Sequence, residues 1–376
     1  MLCLRSDHRL AVGALPAQSP TPSKKGHTEM RWRTTLATVA GLLLAGACGT
    51  ADPAPATTAP ATAAPVTQPP ATPPPATAAP ATAVPPIDSP ATTPPVPASV
   101  TFTGVDGVET TVTDTSRIVS LNGDLTEVIF ALGLGSQVVA VDITTTYPLE
   151  TNDLPRVGFG QQLAPEGVLA FAPTVVIGDQ QIQPAESIQQ LRDAGVAVVI
   201  LETQTTLPGI ETKILDVAEV LGVPDEGRVL ADRVNGEINE ALALAAQAQN
   251  QVSVAFVYSR GPQQIFLFGR GTVTQALIEG ANAVDTISES GVFAVVPLTP
   301  EALVAAAPDV IIVPESGIGA LGGLAGIAEL PGVAQTPAGL SESFLVYEDG
   351  FFLNFGPRTG EALRTLVLDL YPELEA

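Results

Sequence analysis

Histidine, methionine, tryptophan and cysteine are all missing from the chain beyond Cys48. Without an imidazole or a thiolate, residues 49–376 cannot form a zinc site from the usual nitrogen and sulfur ligands. They also cannot supply a histidine general base, a Ser-His-Asp triad or a disulfide. A metal bound by this part of the chain would need oxygen ligands from Asp, Glu or Tyr, and a tyrosine phenolate suits ferric iron.

Positive charge is also scarce. The chain has 16 Lys and Arg against 39 Asp and Glu, which gives a formal net charge of −23. Lys213 is the only lysine beyond Cys48. This excess of negative charge argues against binding to nucleic acid or to an anionic lipid surface. Because no lysine follows a glycine-rich loop, a P-loop for nucleotide phosphates is excluded as well.

The first hundred residues carry targeting and tether signals. Residues 30–48 have a basic start, a short apolar run and small residues before Cys48, a pattern typical of a bacterial lipoprotein signal in which that cysteine is lipidated. The alternative is an ordinary secretory signal with an incidental cysteine. Residues 1–29 are interpreted as preceding the true start. Residues 49–100 are nearly all Pro, Ala and Thr, which predicts a disordered, extended tether.

One short unit occurs twice. LAPEGVLAFAPTVVIG (163–178) and LTPEALVAAAPDVIIV (298–313) align with Glu166 opposite Glu301 and Pro173 opposite Pro308. Each copy predicts a short helix opened by Pro-Glu, a second proline that ends it, and a buried parallel strand. The repeat favours two similar α/β lobes with a cleft between them.

Alternating strands and helices extend this interpretation. The pattern predicts an α/β fold of two doubly wound, Rossmann-like lobes, residues 101–222 and 251–376, in which parallel strands dominate. Residues 223–250 are Ala-rich and predict one long helix that joins the lobes. The hexapeptide 317–322 fits GxGxxG, but no strand ending in an acid follows at the right distance. The glycine-rich segment 317–326 is therefore interpreted as a flexible loop and not as a dinucleotide site.

Two of the four tyrosines follow predicted strands. Tyr147 comes after the strand 138–142, at the end where ligands of open α/β sheets bind, and Tyr258 ends the first strand of the second lobe. Arg260 lies two positions after Tyr258, so both side chains would face the same way and the guanidinium would favour the phenolate form. The alternative for each tyrosine is an aromatic ring packed on its own lobe.

Three arginines near loop ends could meet an anionic ligand: Arg156, Arg260 and Arg270. The alternative for each is a surface ion pair.

The chain resembles the substrate-binding proteins of bacterial haem ABC transporters, of the cobalamin and siderophore class with a single helical hinge. The resemblance covers residues 115–372. It rests on the motifs RIVSLNGDLTEVIFALG (117–133), VDITTTYP (141–148), GRGTVTQALIEGANAV (269–284), GGLAGIAELPGVAQTPAG (322–339) and FGPRTGEALR (355–364), together with the two repeats.

This resemblance implies a non-enzymatic, monomeric, lipid-anchored receptor outside the cytoplasmic membrane. It would bind ferric haem as transported ligand and pass it to a permease and its ATPase. Tyr147 would be the axial iron ligand, and some relatives add a second ligand from a Tyr-x-Arg segment, which Tyr258 and Arg260 match. Glu166 and Glu301 would dock on the permease. Helix-dipole complementarity is the alternative role for both glutamates.

Two other functions stay open from the sequence. The same scaffold could carry a ferric siderophore or a corrinoid. An extracellular hydrolase that uses paired carboxylates is a more distant alternative, because no carboxylate spacing in the sequence supports it.

Overall fold

The structure is a computed structural model that describes residues 99–261 and 263–375. The predicted signal segment, Cys48 and the tether up to residue 98 lie outside the described residues. No helix within the described ranges combines the length and the apolar content that crossing a bilayer requires.

Within these ranges the chain forms twelve strands and thirteen α-helices. The strands are β1 Val100–Thr103, β2 Glu109–Val112, β3 Ile118–Ser120, β4 Val138–Val141, β5 Val175–Asp179, β6 Ala197–Leu201, β7 Ser253–Ser259, β8 Ile265–Phe268, β9 Val284–Asp285, β10 Val295–Pro297, β11 Val310–Pro314 and β12 Phe344–Tyr347. The helices are α1 Gly123–Ala131, α2 Pro165–Leu169, α3 Ala185–Asp193, α4 Gly209–Val220, α5 Pro224–Ala245, α6 Val273–Gly280, α7 Thr286–Glu289, α8 Pro300–Ala306, α9 Glu315–Leu321, α10 Leu324–Ala328, α11 Pro337–Ser341, α12 Asp349–Leu353 and α13 Thr359–Leu370.

The first sheet has the strand order β4-β3-β5-β6, and every pair in it is parallel. Its strands are rich in Val and Ile and almost wholly buried, as expected for a parallel sheet covered on both faces. The β1–β2 hairpin, which was not predicted from the sequence, lies beside β6, where Thr110 Oγ1 donates a hydrogen bond to the carbonyl of Val198 over 3.1 Å. The parallel α/β character predicted for this part of the chain is confirmed.

The second sheet is mixed. Its order is β10-β8-β7-β11-β12, with β9 also paired to β7. The pairs of β7, β9, β11 and β12 are parallel, whereas β8 and β10 run antiparallel to their neighbours. These two antiparallel strands were not predicted from the sequence, because a run as short as Ile265–Phe268 carries little periodicity.

The two repeats form the same unit in both sheets: a short helix followed by a central strand, α2–β5 and α8–β11. The match includes the backbone, since Ala172 (φ 44°) and Ala307 (φ 47°) adopt the same left-handed conformation before their prolines. Thr299 Oγ1 caps α8 by accepting from the amide of Ala302, whereas Ala164 offers no side-chain cap to α2. The predicted repeat is therefore confirmed.

Helix α5 connects the two sheets along the chain. It has 22 residues and spans about 33 Å at ~1.5 Å per residue. Its buried face includes Leu230, Val234 and Ile238 and packs between α4 and α13. Ile118 of the first sheet and Phe256 of the second belong to one continuous core that includes this face. The helix ends at Ala245, five residues earlier than predicted.

The glycine-rich segment 317–326 is not a loop. It forms α9 and α10, separated by Gly322 (φ 82°) and Gly323 (φ 94°), so the prediction of a flexible loop was wrong. Gly317 is required by packing, because a Cβ there would lie 2.9 Å from the carbonyl oxygen of Ser259.

Candidate functional site

Two of the four tyrosines are structural. The hydroxyl of Tyr347 donates to Asp369 Oδ2 over 2.7 Å, and its ring stacks on Phe352. Tyr371 is buried and donates to the carbonyl of Asn282 over 2.8 Å. Burial raises the pKa of both phenols, that of Tyr347 well above its usual range, and this disfavours the phenolate that ferric iron needs. Tyr147 and Tyr258 remain as candidate ligands.

Tyr147 lies in the loop after β4, where its side chain is 39% exposed. The guanidinium carbon of Arg358 lies only 3.8 Å from the centroid of its ring. The loop also touches α12, because a side chain at Gly350 would collide with the hydroxyl of Thr146. Tyr147 therefore stands at the junction between the first sheet and the segments that follow α5.

Two side chains, Asp142 and Arg156, fix the backbone of the loop that follows β4 and contains Tyr147, the Tyr147 loop. Asp142, which is 1% exposed, accepts from the hydroxyl of Thr144 over 2.8 Å and from that of Thr145 over 3.1 Å. Arg156 donates to the carbonyls of Asp142 (3.1 Å), Thr145 (2.8 Å) and Thr151 (3.1 Å). These three contacts bracket Tyr147 from both sides and make Arg156 a clamp on the loop. The contact of Arg156 with an anionic ligand, expected from the sequence, stays a prediction.

Burial of Asp142 makes the stability of the protein depend on pH. Desolvation raises the pKa of Asp142 from 3.8 to about 6. The folded state then binds this proton more tightly than the unfolded state, so its stabilising effect is complete below about pH 4 and is lost as the pH rises through about 6. Because a shift of one pKa unit corresponds to about 1.4 kcal/mol, we expect Asp142→Asn to remove about 2–3 kcal/mol of pH dependence between pH 4 and pH 7.

Urea unfolding of wild type and Asp142→Asn at both pH values measures this difference. Burial also raises the pKa of Asp216 to about 6, so this carboxyl contributes to the pH dependence of the wild type in the same window, and Asp216→Asn measures its share. If the free energy of unfolding depended on pH equally in wild type and Asp142→Asn, the raised pKa of Asp142 would be contradicted.

Tyr258 and Arg260 form a pair at the end of β7. Nε of Arg260 donates to the hydroxyl of Tyr258 over 3.1 Å, so the prediction that both side chains face the same way is confirmed. The guanidinium carbon also lies 5.6 Å from the ring centroid of Phe159, which belongs to the loop after β4. Arg260 therefore reaches from the second sheet to the loops of the first.

Arg270 lies elsewhere. Strand β8 runs back along β7, with Ile265 opposite Ser259 and Leu267 opposite Val257, so the chain reaches Arg270 near the amino end of β7. Its Nη2 donates to the carbonyl of Ser288 over 3.2 Å. The structure does not bring Arg270 together with Tyr258, and its predicted contact with an anionic ligand stays a prediction.

Glu127 and Arg358 were not identified from the sequence. Arg358 binds both carboxylate oxygens of Glu127, at 3.0 Å through Nε and 2.5 Å through Nη2, and Asn354 donates to the same carboxylate over 3.0 Å. Glu127 is 3% exposed, and burial raises its pKa. One signal was available in the sequence: Glu127 lies among the apolar residues of α1, next to Val128. A carboxylate is rarely buried in such a place without a charged partner, so a partner could have been expected.

A cavity of about 680 Å³ opens beside Tyr147, within the range typical of small-molecule sites. It is lined from α1, the Tyr147 loop, α5 and α13. Its walls include Phe130, Pro148, Arg358 and Arg364. Among the described residues, no group of three or more His, Cys, Asp and Glu could hold a metal ion.

Glu166 and Glu301 occupy equivalent positions in the repeats. Each lies in the first turn of its helix, α2 or α8, and each is exposed. Within the described ranges neither takes part in an identified salt bridge.

The sequence model of the periplasmic binding protein family matches residues 118–347. The chain belongs to the periplasmic binding protein family. This periplasmic binding protein is similar to the periplasmic heme-binding protein RhuT from Roseiflexus sp. RS-1, with 40% identity, a TM-score of 0.67, and coverage of 69% of this chain and 100% of that one. It is also similar to the heme-binding protein HmuT, with 36% identity, a TM-score of 0.70, and coverage of 75% and 94%.

Curated relatives are more distant. The vitamin B12-binding protein of Pectobacterium carotovorum subsp. carotovorum (strain PC1) is 26% identical over 176 residues, which cover 47% of this periplasmic binding protein. This match covers 63% of the Pectobacterium protein. The match to a second vitamin B12-binding protein, from Vibrio campbellii (strain ATCC BAA-1116), covers 52% of that protein.

Proposed function

We propose that this protein binds ferric haem between its two lobes, with Tyr147 as an iron ligand, and delivers it to an ABC importer. The observation that carries the proposal is the position of Tyr147. It is the most exposed of the four phenols and follows a strand at the carboxyl edge of a parallel sheet, in a chain without histidine beyond residue 48. The likeness to RhuT and HmuT, whose names state heme binding, supports the choice of ligand.

Tyr258 is proposed as a second ligand from the opposite lobe. Its hydroxyl already accepts a hydrogen bond from Arg260, so a guanidinium lies beside the oxygen that would bind iron. Arg260 also has donors left over for a carboxylate, so a haem propionate could bind beside the iron.

The repeats and the first hundred residues support how this protein would contact the importer and the membrane. Glu166 and Glu301 would each contact the permease from an exposed first helical turn, and the permease would work with an ATPase subunit. Lipidation of Cys48 would hold the protein on the outer face of the membrane, with residues 49–100 as tether. The protein would act as a monomer and as a binding protein, not as an enzyme.

A corrinoid is the second candidate ligand, favoured by the curated relatives named vitamin B12-binding protein. Titration of the purified protein with hemin, cyanocobalamin and a ferric siderophore separates the candidates. We expect a new absorption spectrum and saturation at one equivalent only with hemin. Saturation with cyanocobalamin, and no spectral change with hemin, would refute the haem proposal.

The loop clamp predicts an indirect effect on haem binding. Arg156→Met removes three hydrogen bonds to carbonyls around Tyr147, each worth about 1.5–3 kcal/mol when the donor is charged. We expect a loss of stability of at least about 2 kcal/mol in urea unfolding. We also expect faster dissociation of hemin, because Tyr147 is less firmly held.

Arg117→Met is the matched control, since Arg117 donates to the carbonyls of Phe171 and Ala172, away from Tyr147. It should leave hemin dissociation unchanged. Hemin dimethyl ester separates the two roles of Arg156: a loop clamp weakens binding of hemin and of the ester alike, whereas a contact with a propionate weakens binding of hemin alone.

A further inference from the structure

The guanidinium of Arg358 packs on the ring of Tyr147, the proposed iron ligand. Its guanidinium carbon lies 3.8 Å from the ring centroid of Tyr147, close enough for a strong cation–π contact. The side chain is 16% exposed, so solvent screens the contact only weakly. The ring of Phe351 lies 5.5 Å from the same guanidinium carbon.

Arg358 is itself held in place. Glu127 binds it through two hydrogen bonds of 3.0 and 2.5 Å, and the planar fork of the guanidinium gives this pair one geometry. The side chain of Glu127 is 2% exposed and accepts a further hydrogen bond from Asn354. Glu348 is a second, looser anionic neighbour, 3.9 Å from Nη2 of Arg358. Arg358 cannot leave Tyr147 without leaving a buried carboxylate unpaired.

We propose that Glu127 and Arg358 form a positioning pair for Tyr147, which fixes the plane of its ring and sets its strength as an electron donor to iron. This inference rests on the proposed function. It assigns no new ligand. It identifies the two residues that prepare the phenol for ferric iron, one from α1 and one from the segment before α13.

The two charges act on the phenol oxygen in opposite directions. The cation of Arg358 stabilises negative charge on the phenolate and weakens its donation to iron, while the carboxylate of Glu127 opposes this effect. A change in donor strength moves the ferric-phenolate charge-transfer band. A residue that only supports the fold would alter the amount of bound haem and leave the position of this band unchanged.

The test uses the full chain loaded with hemin, and compares wild type with Arg358→Gln and Glu127→Gln. In Arg358→Gln we expect the charge-transfer band at longer wavelength, because the phenolate without its cation is a stronger donor. We also expect dissociation of hemin to a haem acceptor to be about 10–100-fold faster, because the ring is no longer held in one orientation, the usual effect of losing a residue that orients a metal ligand. In Glu127→Gln we expect the band at shorter wavelength. Arg192→Gln is the matched control: Arg192 is also 16% exposed and binds a carboxylate, that of Asp106 over 2.6 Å, but it does not line the cavity beside Tyr147, so both readouts should stay unchanged.

Arg358→Lys and the double variant Glu127→Gln/Arg358→Gln provide folded alternatives if Arg358→Gln is unstable. The lysine keeps the charge without the planar fork and should shift the band less than glutamine. Equal band positions in wild type and all Arg358 variants, or shifts of the same sign in Arg358→Gln and Glu127→Gln, would overturn the inference alone. A wild-type protein without a Tyr147-dependent band would overturn the proposed function together with it.

Discussion

Replacing Tyr147 by phenylalanine is expected to lower the affinity for hemin by more than about 100-fold and to remove the ferric-phenolate band. Loss of a partner that merely orients a metal ligand costs about 10–100-fold, so loss of the ligand itself should exceed that range. Phenylalanine keeps the ring on which Arg358 packs and removes only the hydroxyl oxygen. Titration with hemin, followed by absorption, measures both effects.

Tyr258→Phe and Tyr371→Phe complete the series. If Tyr258 is a second ligand, its variant should keep a phenolate band from Tyr147 and bind hemin more weakly than wild type. Tyr371→Phe removes a hydroxyl that bonds to Asn282 and should affect stability alone. An unchanged spectrum and affinity in Tyr147→Phe would show that the iron ligand lies elsewhere.

Reversing the charge of both repeat glutamates should stop import of haem without changing its binding. Glu166 and Glu301 are exposed in the first turns of α2 and α8, and neither contributes to the core. Each charged hydrogen bond to the permease would contribute about 1.5–3 kcal/mol, so losing two of them and reversing both charges should reduce uptake more than about 100-fold. Uptake of hemin by cells carrying Glu166→Arg/Glu301→Arg measures the effect.

Glu186→Arg is the matched control for that variant. Glu186 is also an exposed glutamate in the first turn of a helix, α3, but it lies outside the repeated units. It should leave uptake near the wild-type rate. Normal uptake by the double variant, or equal loss in the control, would contradict docking through the repeats.

The sequence predicted the features that depend on local pattern. The repeated Pro-Glu units, the buried Val and Ile strands of the first sheet and the long helix α5 each carry their signal within a short segment. The absence of histidine beyond Cys48 left tyrosine as the side chain best suited to ferric iron. For Tyr147 and Tyr258 the preceding strands left the alternative of a packed ring open, and only the family resemblance favoured both as iron ligands.

Features that depend on contacts between distant segments could not be predicted. Glu127 and Arg358 are 231 positions apart, and nothing near Arg358 in the sequence indicates a carboxylate partner on α1. Arg156 donates to backbone carbonyls, which every residue offers, so its role as a clamp on the Tyr147 loop leaves no pattern in the sequence. The direction of the short strand β8 is set by its pairing with β7, and local sequence propensity does not determine such a pairing.

A crystal structure of the protein with hemin would test the central claim most directly. The account predicts ferric porphyrin between the two lobes, with the phenol oxygen of Tyr147 bound to iron and Arg358 still stacked on its ring. Iron without a bond to Tyr147, or porphyrin bound outside the space between the lobes, would contradict it.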